Sequence, residues 1–172
     1  ESENGWATIV LNAPFHYNGA DNLMLTVVDV TAASVGNSVQ FACSNVEKNR
    51  VLAYSGYEAP IYGNMEYYGL AMYHLRSNIR FGLEYVEPAH QEVDTVETVA
   101  YLQVGTGTLL TADILPVRTE ISWSYSQQIF TAEEMGGSRT IYTLAFNYSG
   151  NTDNELTRNV KVYLAHTQKD EF

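Results

Sequence analysis

Six tyrosines are concentrated between residues 54 and 73. Four of them, Tyr57, Tyr62, Tyr67 and Tyr68, fall in segment 56–69, which is rich in Gly and Tyr, contains Pro60 and lacks a strand-like period. Exposed tyrosine rings stack on sugar rings, so these four residues are candidate glycan contacts. Sheet cores and covered sheet edges use tyrosine in the same way, which is the alternative explanation.

Acidic and amide side chains at two predicted strand ends could bind a metal. Asp21 with Asn22, and Asp153 with Glu155, place hard oxygen ligands of the kind that Ca²⁺ prefers. Solvated turn residues account for the same pattern. Ca²⁺ is therefore a candidate ligand at these four residues, and no other cofactor is expected.

The sequence contains no set of residues typical of catalysis. His16, His74, His90 and His166 are scattered without metal-ligand spacing, and segment 105–108 (GTGT) lacks the lysine and following helix of a phosphate-binding loop. No nucleophile is accompanied by a base, and no carboxylate pair stands out. We therefore predict no catalytic residues and a protein that is not an enzyme.

Composition and charge narrow the classes of protein. A net charge of −11 in 172 residues argues against nucleic acid or an anionic membrane as a partner, and no apolar stretch is long enough for a membrane-spanning helix. The single Cys43 excludes an internal disulfide and a multi-cysteine metal site. With 13 Tyr and only 17% charged residues, the composition favours strands over helices.

The hydrophobic pattern has the period of strands, with turn residues every eight to twelve positions. We predict about nine or ten strands, one short helical turn at 131–135 and a polar tip at 149–157. The fold class expected is all-β, an antiparallel, jelly-roll-like β-sandwich with minimal helix. The strands expected most clearly lie at 6–11, 22–30, 39–43, 50–55, 78–85, 119–130, 140–148 and 159–165.

Two parts of the sequence carry a more specific signal. The second part contains SYSQQIFTAEEMGG (124–137), Thr140-Ile141, Ala145-Phe146, Thr157-Arg158-Asn159, Tyr163-Leu164 and the segment 167–172. The first part contains Trp6, the segment 9–11, Pro14-Phe15, Tyr17-Asn18-Gly19, Asn22-Leu23, Asp29, Thr31 and Arg50. Together they resemble the β-sandwich repeat domain of large secreted and surface-attached proteins of Bacteroidetes-type bacteria.

The two parts occur in inverted order relative to that family, where the SYSQQ half comes first. The resemblance implies a closing half at 1–86, an acidic linker or crossover at 87–108, and an opening half at 109–172. A half-sandwich exposes unpaired strand edges, so each half needs completion. Completion could come from the other half of the same chain, from a neighbouring copy by strand exchange, or from a longer tandem array. The last two are the arrangements we favour from the sequence.

The resemblance implies a non-catalytic structural or adhesive module at the bacterial cell surface. Its expected partners are copies of itself, adjacent repeat domains or a surface glycan, without nucleic acid or membrane insertion. The alternative is a carbohydrate-binding module of a secreted enzyme. Thr95, in the sequence Asp-Thr-Val, resembles an O-glycan acceptor of exported proteins of such bacteria, and Arg158 is expected to pair with the Glu133-Glu134 turn.

Overall fold

The computed structural model describes residues 2–3, 5–32, 39–57, 70–83, 100–111, 115–149 and 158–172. Within these residues the chain forms thirteen strands and one helical turn. They are β1 (Ser2–Glu3), β2 (Trp6–Tyr17), β3 (Asn22–Asp29), β4 (Gln40–Asn45), β5 (Val51–Gly56), β6 (Ala71–Tyr73), β7 (Leu75–Ser77), β8 (Ile79–Leu83), β9 (Tyr101–Val104), β10 (Leu109–Thr111), β11 (Trp123–Phe130), α1 (Ala132–Met135), β12 (Arg139–Ser149) and β13 (Val160–Thr167).

The strands form two antiparallel sheets, which confirms the predicted all-β sandwich. Sheet I has eight strands. β12 pairs with β2 on one side and with β8 and β4 on the other. β1 pairs with β2, β9 pairs with β8, and β7 and β10 pair with β4. Sheet II has five strands in the order β13-β3-β11-β5-β6. The strand count exceeds the prediction because β1, β6 and β7 are only two or three residues long, too short for a period to be read.

Strands from the two ends of the chain alternate within both sheets. β11 lies between β3 and β5 in sheet II, and β12 lies between β2 and β8 in sheet I. The inward faces of both sheets meet in one apolar core, where the rings of Phe81 and Phe130 contact edge to face at 5.1 Å. Neither end of the chain forms this core alone, since each supplies only some strands of each sheet.

Part of the predicted linker is a strand. Residues 101–104, inside segment 87–108, form β9 and pair antiparallel with β8. Segment 84–99 lies outside the described residues. β2 also continues past its predicted end at Leu11, because a strand with a free edge tolerates Pro14 and an irregular register.

Two charged pairs join the ends of the chain. Arg76 donates to both carboxylate oxygens of Glu134, at 2.9 and 2.6 Å, and Glu134 also completes the capping box that begins α1. Arg158 pairs with Asp29 on β3, with 3.0 Å between Nε and Oδ2. The predicted pairing of Arg158 with the Glu133-Glu134 turn is therefore wrong: Glu134 is bound by Arg76, and Asp29 is the buried carboxylate that lies beside Arg158.

Candidate functional site

The structure describes some of the predicted site residues. Tyr57 is exposed, with 74% of its surface accessible, at the end of β5. The other predicted glycan contacts (Tyr62, Tyr67 and Tyr68), the calcium candidates Asp153 and Glu155, and the glycan acceptor Thr95 lie outside the described residues. The prediction of a tyrosine-lined binding loop stays a prediction.

Asp21 and Asn22 hold the start of β3 in place. The Asp21 carboxylate accepts hydrogen bonds from Asn18 Nδ2 at 2.7 Å and from Gln168 Nε2. The Asn22 amide accepts from the backbone of Ala132 at 2.9 Å and donates to the carbonyl of Lys169 at 2.9 Å. Both side chains thus have structural partners, and the described residues contain no cluster of three His, Cys, Asp or Glu side chains able to hold a metal. The calcium prediction stays untested for the complete set.

An open groove runs along one side of the sandwich, and the sequence did not reveal it. It lies between β2 and β13. Among the described strands, the outer side of β2 is paired only at Trp6 and Ala7, with β1, and β13 is an edge of sheet II. Residues 9–15 and 160–164 line its volume of about 580 Å³. Ile9 and Leu11 from β2 face Val162 and Leu164 from β13, all half-buried against the core. We call this feature the edge groove.

His166 closes one end of the edge groove. Its ring lies 5.1 Å from that of Phe15 and 5.8 Å from that of Tyr17. Its Nε2 accepts a hydrogen bond from the backbone N–H of Asn18 at 3.0 Å. β2 and β13 are thereby joined at their C-terminal ends, while the groove remains between them toward Val160.

The hydrogen-bond pattern shows which backbone groups of β13 face outward. The N–H of Val30 donates to the carbonyl of Asn159 at 2.8 Å, and residues 160–167 continue this register along β3. In an antiparallel ladder the residues that bond to the neighbouring strand alternate, so residues 161, 163, 165 and 167 face β3. The N–H and C=O groups of Val160, Val162, Leu164 and His166 therefore face the open edge.

Electrostatics set this side of the molecule apart. The chain carries 20 acidic residues, but none lies in β2 or β13. The basic side chains of these two strands are Lys161, His16 and His166. The edge groove is therefore lined by uncharged side chains and by Lys161, on a protein whose net charge is −11.

A shallow depression lies on the outer face of sheet II. Thr26, Val28, Tyr125 and Tyr163 line its volume of about 300 Å³. Tyr125 is buried, whereas 56% of Tyr163 is exposed.

The sequence of β13 shows Val160, Val162 and Leu164 alternating with Lys161 and Tyr163. Such an alternation predicts a strand but does not show whether the strand lies at the edge of a sheet.

The single cysteine of the chain lies buried in β4, a strand of sheet I. Burial raises the pKa of the Cys43 thiol to about 11, although a hydrogen bond with Ser77 acts in the opposite direction. Cys43 is fully buried and therefore protonated and inert near neutral pH. No helix among the described residues is long and apolar enough to cross a membrane.

No protein family model, curated protein or solved structure matches the chain. The described residues define the class of fold, which is an antiparallel β-sandwich of two sheets.

Proposed function

We propose that the chain is a non-catalytic structural or adhesive β-sandwich module of an extracellular bacterial surface protein or filament. The observation that carries the proposal is the alternation of strands from the two ends of the chain in both sheets. Such a module depends on strand pairing and apolar burial, and the sequence resemblance to secreted and surface-attached repeat domains agrees with this role. Localisation at the cell surface belongs to the same proposal and depends on the resemblance.

Assembly would use the contacts that close the sandwich. In one chain, β11 inserts between β3 and β5; the same insertion between two chains would join the end of one copy to the start of the next. This contact is heterologous and propagates head to tail without closing. The same hydrogen bonds form whether β11 inserts within its own chain or into a second chain. The protein concentration, compared with the effective concentration of β11 within its own chain, therefore decides which arrangement forms.

A disulfide placed between the two ends distinguishes the arrangements. Thr26 on β3 and Gln127 on β11 are directly opposite, and Gln127 Nε2 donates to Thr26 Oγ1 at 3.2 Å. The N–H of Ile129 donates to the carbonyl of Arg50, and hydrogen-bonded residues alternate along a strand, so the backbone groups of Gln127 bond to β5. Gln127 and Thr26 therefore form a non-hydrogen-bonded pair, in which the two side chains are closely spaced. The double variant Thr26→Cys/Gln127→Cys should therefore form a disulfide on oxidation.

Non-reducing electrophoresis shows whether the disulfide lies within one chain or joins two chains. Strand exchange predicts a ladder of covalent multimers that grows with protein concentration during oxidation, and fibres by electron microscopy. The single variant Gln127→Cys is the control, because it lacks the opposite cysteine. A disulfide that stays within one chain at every concentration would contradict assembly by exchange.

A carbohydrate-binding module is the second candidate, and one observation favours it. The depression beside Tyr163 and the exposed ring of Tyr57 offer aromatic surface on sheet II and at the end of β5. A glycan array comparing the parent chain with Tyr163→Ala and Tyr57→Ala tests this function. Repeating the array with a calcium chelator tests Ca²⁺ at the same time. Glycan binding that both substitutions leave unchanged would count against these tyrosines.

A further inference from the structure

We propose that β13 pairs edge to edge with β13 of a second copy, related by a two-fold axis, so that two copies of sheet II become one continuous sheet. This goes beyond the proposed function, because it uses an edge of sheet II that no described strand covers in the closed chain. Strand exchange redistributes contacts that already exist, whereas edge pairing adds new ones.

Among the described residues, β13 is the one long regular strand at a free sheet edge. β1, β6, β9 and β10 offer edges of only two to four residues. β2 is longer, but its register shifts between Val10 and Phe15, and Pro14 has no N–H to donate. Short strands, irregular registers and proline are the devices that protect sheet edges from pairing. β13 has eight residues without Gly, Pro or a register shift.

The positions of the outward-facing backbone groups select one register. These groups belong to Val160, Val162, Leu164 and His166. An antiparallel two-fold pair centred on Tyr163 places Val162 opposite Leu164 of the second copy and Val160 opposite its His166. In this register all four residues find partners, and each pair exchanges two hydrogen bonds. A centre elsewhere on the strand leaves at least one of the four unpaired.

Side chains and charge agree with this register. Tyr163, which is 56% exposed, lies opposite Tyr163 of the second copy. The two form a non-hydrogen-bonded pair, the kind in which side chains approach most closely. Lys161 lies opposite Ala165, and the two Lys161 side chains are offset by four residues, roughly 13 Å at about 3.3 Å per residue. That separation exceeds the screening length of about 8 Å at physiological salt. Because β2 and β13 contain no acid, this register places no carboxylates of these strands opposite one another.

The second copy also covers the edge groove. Val162 and Leu164 of both copies, half-buried in the single chain, come together inside the joined sandwich. Val10, exposed on β2, lies on the same side of the molecule. Burial of these apolar side chains is the driving force for the contact.

A cysteine at the axis tests the proposal in the full chain. Tyr163→Cys should give a covalent dimer under mild oxidation, because the two positions face each other. Met72→Cys is the matched control: Met72 is 54% exposed on β6, the opposite edge strand of the same sheet. Lys161→Cys is the register control and should cross-link poorly, since position 161 faces position 165. Cys43 does not compete, because it is buried.

Mass measurement without cross-linking completes the test. The parent chain should show a concentration-dependent monomer–dimer equilibrium by light scattering or sedimentation. Tyr163→Glu, which places two carboxylates at the axis, should weaken dimerisation roughly tenfold or more, whereas Met72→Glu should not. Circular dichroism checks that both variants fold.

A parent chain that stays monomeric at all concentrations would overturn the proposal, as would equal cross-linking of Tyr163→Cys and Met72→Cys. Preferential cross-linking through Lys161→Cys would overturn the register. The cross-linking outcomes do not bear on strand exchange, which the Thr26–Gln127 disulfide reports separately. A parent chain that stays monomeric would count against both contacts.

Discussion

Removing Arg158 tests how the two ends of the chain are held together. Its Nε lies 3.0 Å from Oδ2 of Asp29, whose side chain is fully buried, and 8% of the Arg158 side chain is exposed. Its Nη2 also donates to the carbonyls of Arg118, Thr119 and Ile121 at 3.1, 2.8 and 3.2 Å. One guanidinium therefore joins β3, the segment before β11 and the start of β13.

The expected loss follows from what Arg158→Ala leaves behind. The Asp29 carboxylate would still accept hydrogen bonds from the N–H of Thr31 at 2.9 Å and from its Oγ1 hydroxyl at 2.5 Å. It would lose the positive charge that neutralises it. Removing one partner of a buried pair costs about 3–5 kcal/mol. This is a large part of the roughly 5–15 kcal/mol by which domains are stable.

Equilibrium unfolding in urea, followed by tryptophan fluorescence, measures the change. Removing both charges with Asp29→Asn/Arg158→Met should cost less than Arg158→Ala alone, because no unpaired charge remains buried. Arg139→Ala is the control: this half-buried arginine donates to the carbonyls of the exposed residues Gly136 and Gly137, and its removal should change the free energy of unfolding by less than about 1 kcal/mol. An Arg158→Ala variant within about 1 kcal/mol of the parent would refute the structural role argued for this pair.

Two further predictions concern single residues. Burial alone would raise the pKa of Glu134, but the hydrogen bonds and charge of Arg76, the Thr131 backbone and Arg50 together hold it below its ordinary value of 4.5. This contribution to stability is present above pH 4.5 and lost as pH falls through the lowered pKa, so Glu134→Gln should flatten the pH dependence of unfolding in that acidic range; an unchanged slope would contradict this. Ala32 has a φ of +55°, so Ala32→Gly should raise the free energy of unfolding by up to about 1 kcal/mol, whereas Ala20→Gly, at a residue outside the left-handed region, should lower it.

Strand content was predictable because it depends on local pattern. The pattern of segment 159–165 predicts β13, and segment 131–135 followed by Gly136-Gly137 predicts the turn found as α1. Strand partners were not predictable in the same way. Arg158 sits beside Asp29, 129 positions away in sequence, and no local period reveals such a distance.

The edge groove was likewise not predictable from local sequence patterns, because it depends on the order of the strands in the two sheets. Its residues read as ordinary half-buried strand positions, and only the sheet order shows that β13 and β2 lie at edges on the same side. The tyrosine-rich segment drew attention in the sequence because of composition. Among the described residues that line the edge groove, Tyr163 is the one exposed tyrosine, so composition does not single this surface out.

The two proposed contacts have different symmetry, and this determines what they would build together. Exchange of β11 between chains is heterologous and extends without limit, whereas pairing of β13 on a two-fold axis closes after two copies. Exchange leaves the outer edge of β13 free, because its contacts lie between β11, β3 and β5. A protein that uses both contacts would therefore form head-to-tail filaments joined laterally in pairs, with Tyr163 at each lateral axis. Tyr163→Glu should then convert paired filaments into single ones without shortening them, and loss of filament length instead would show that the two contacts are not independent.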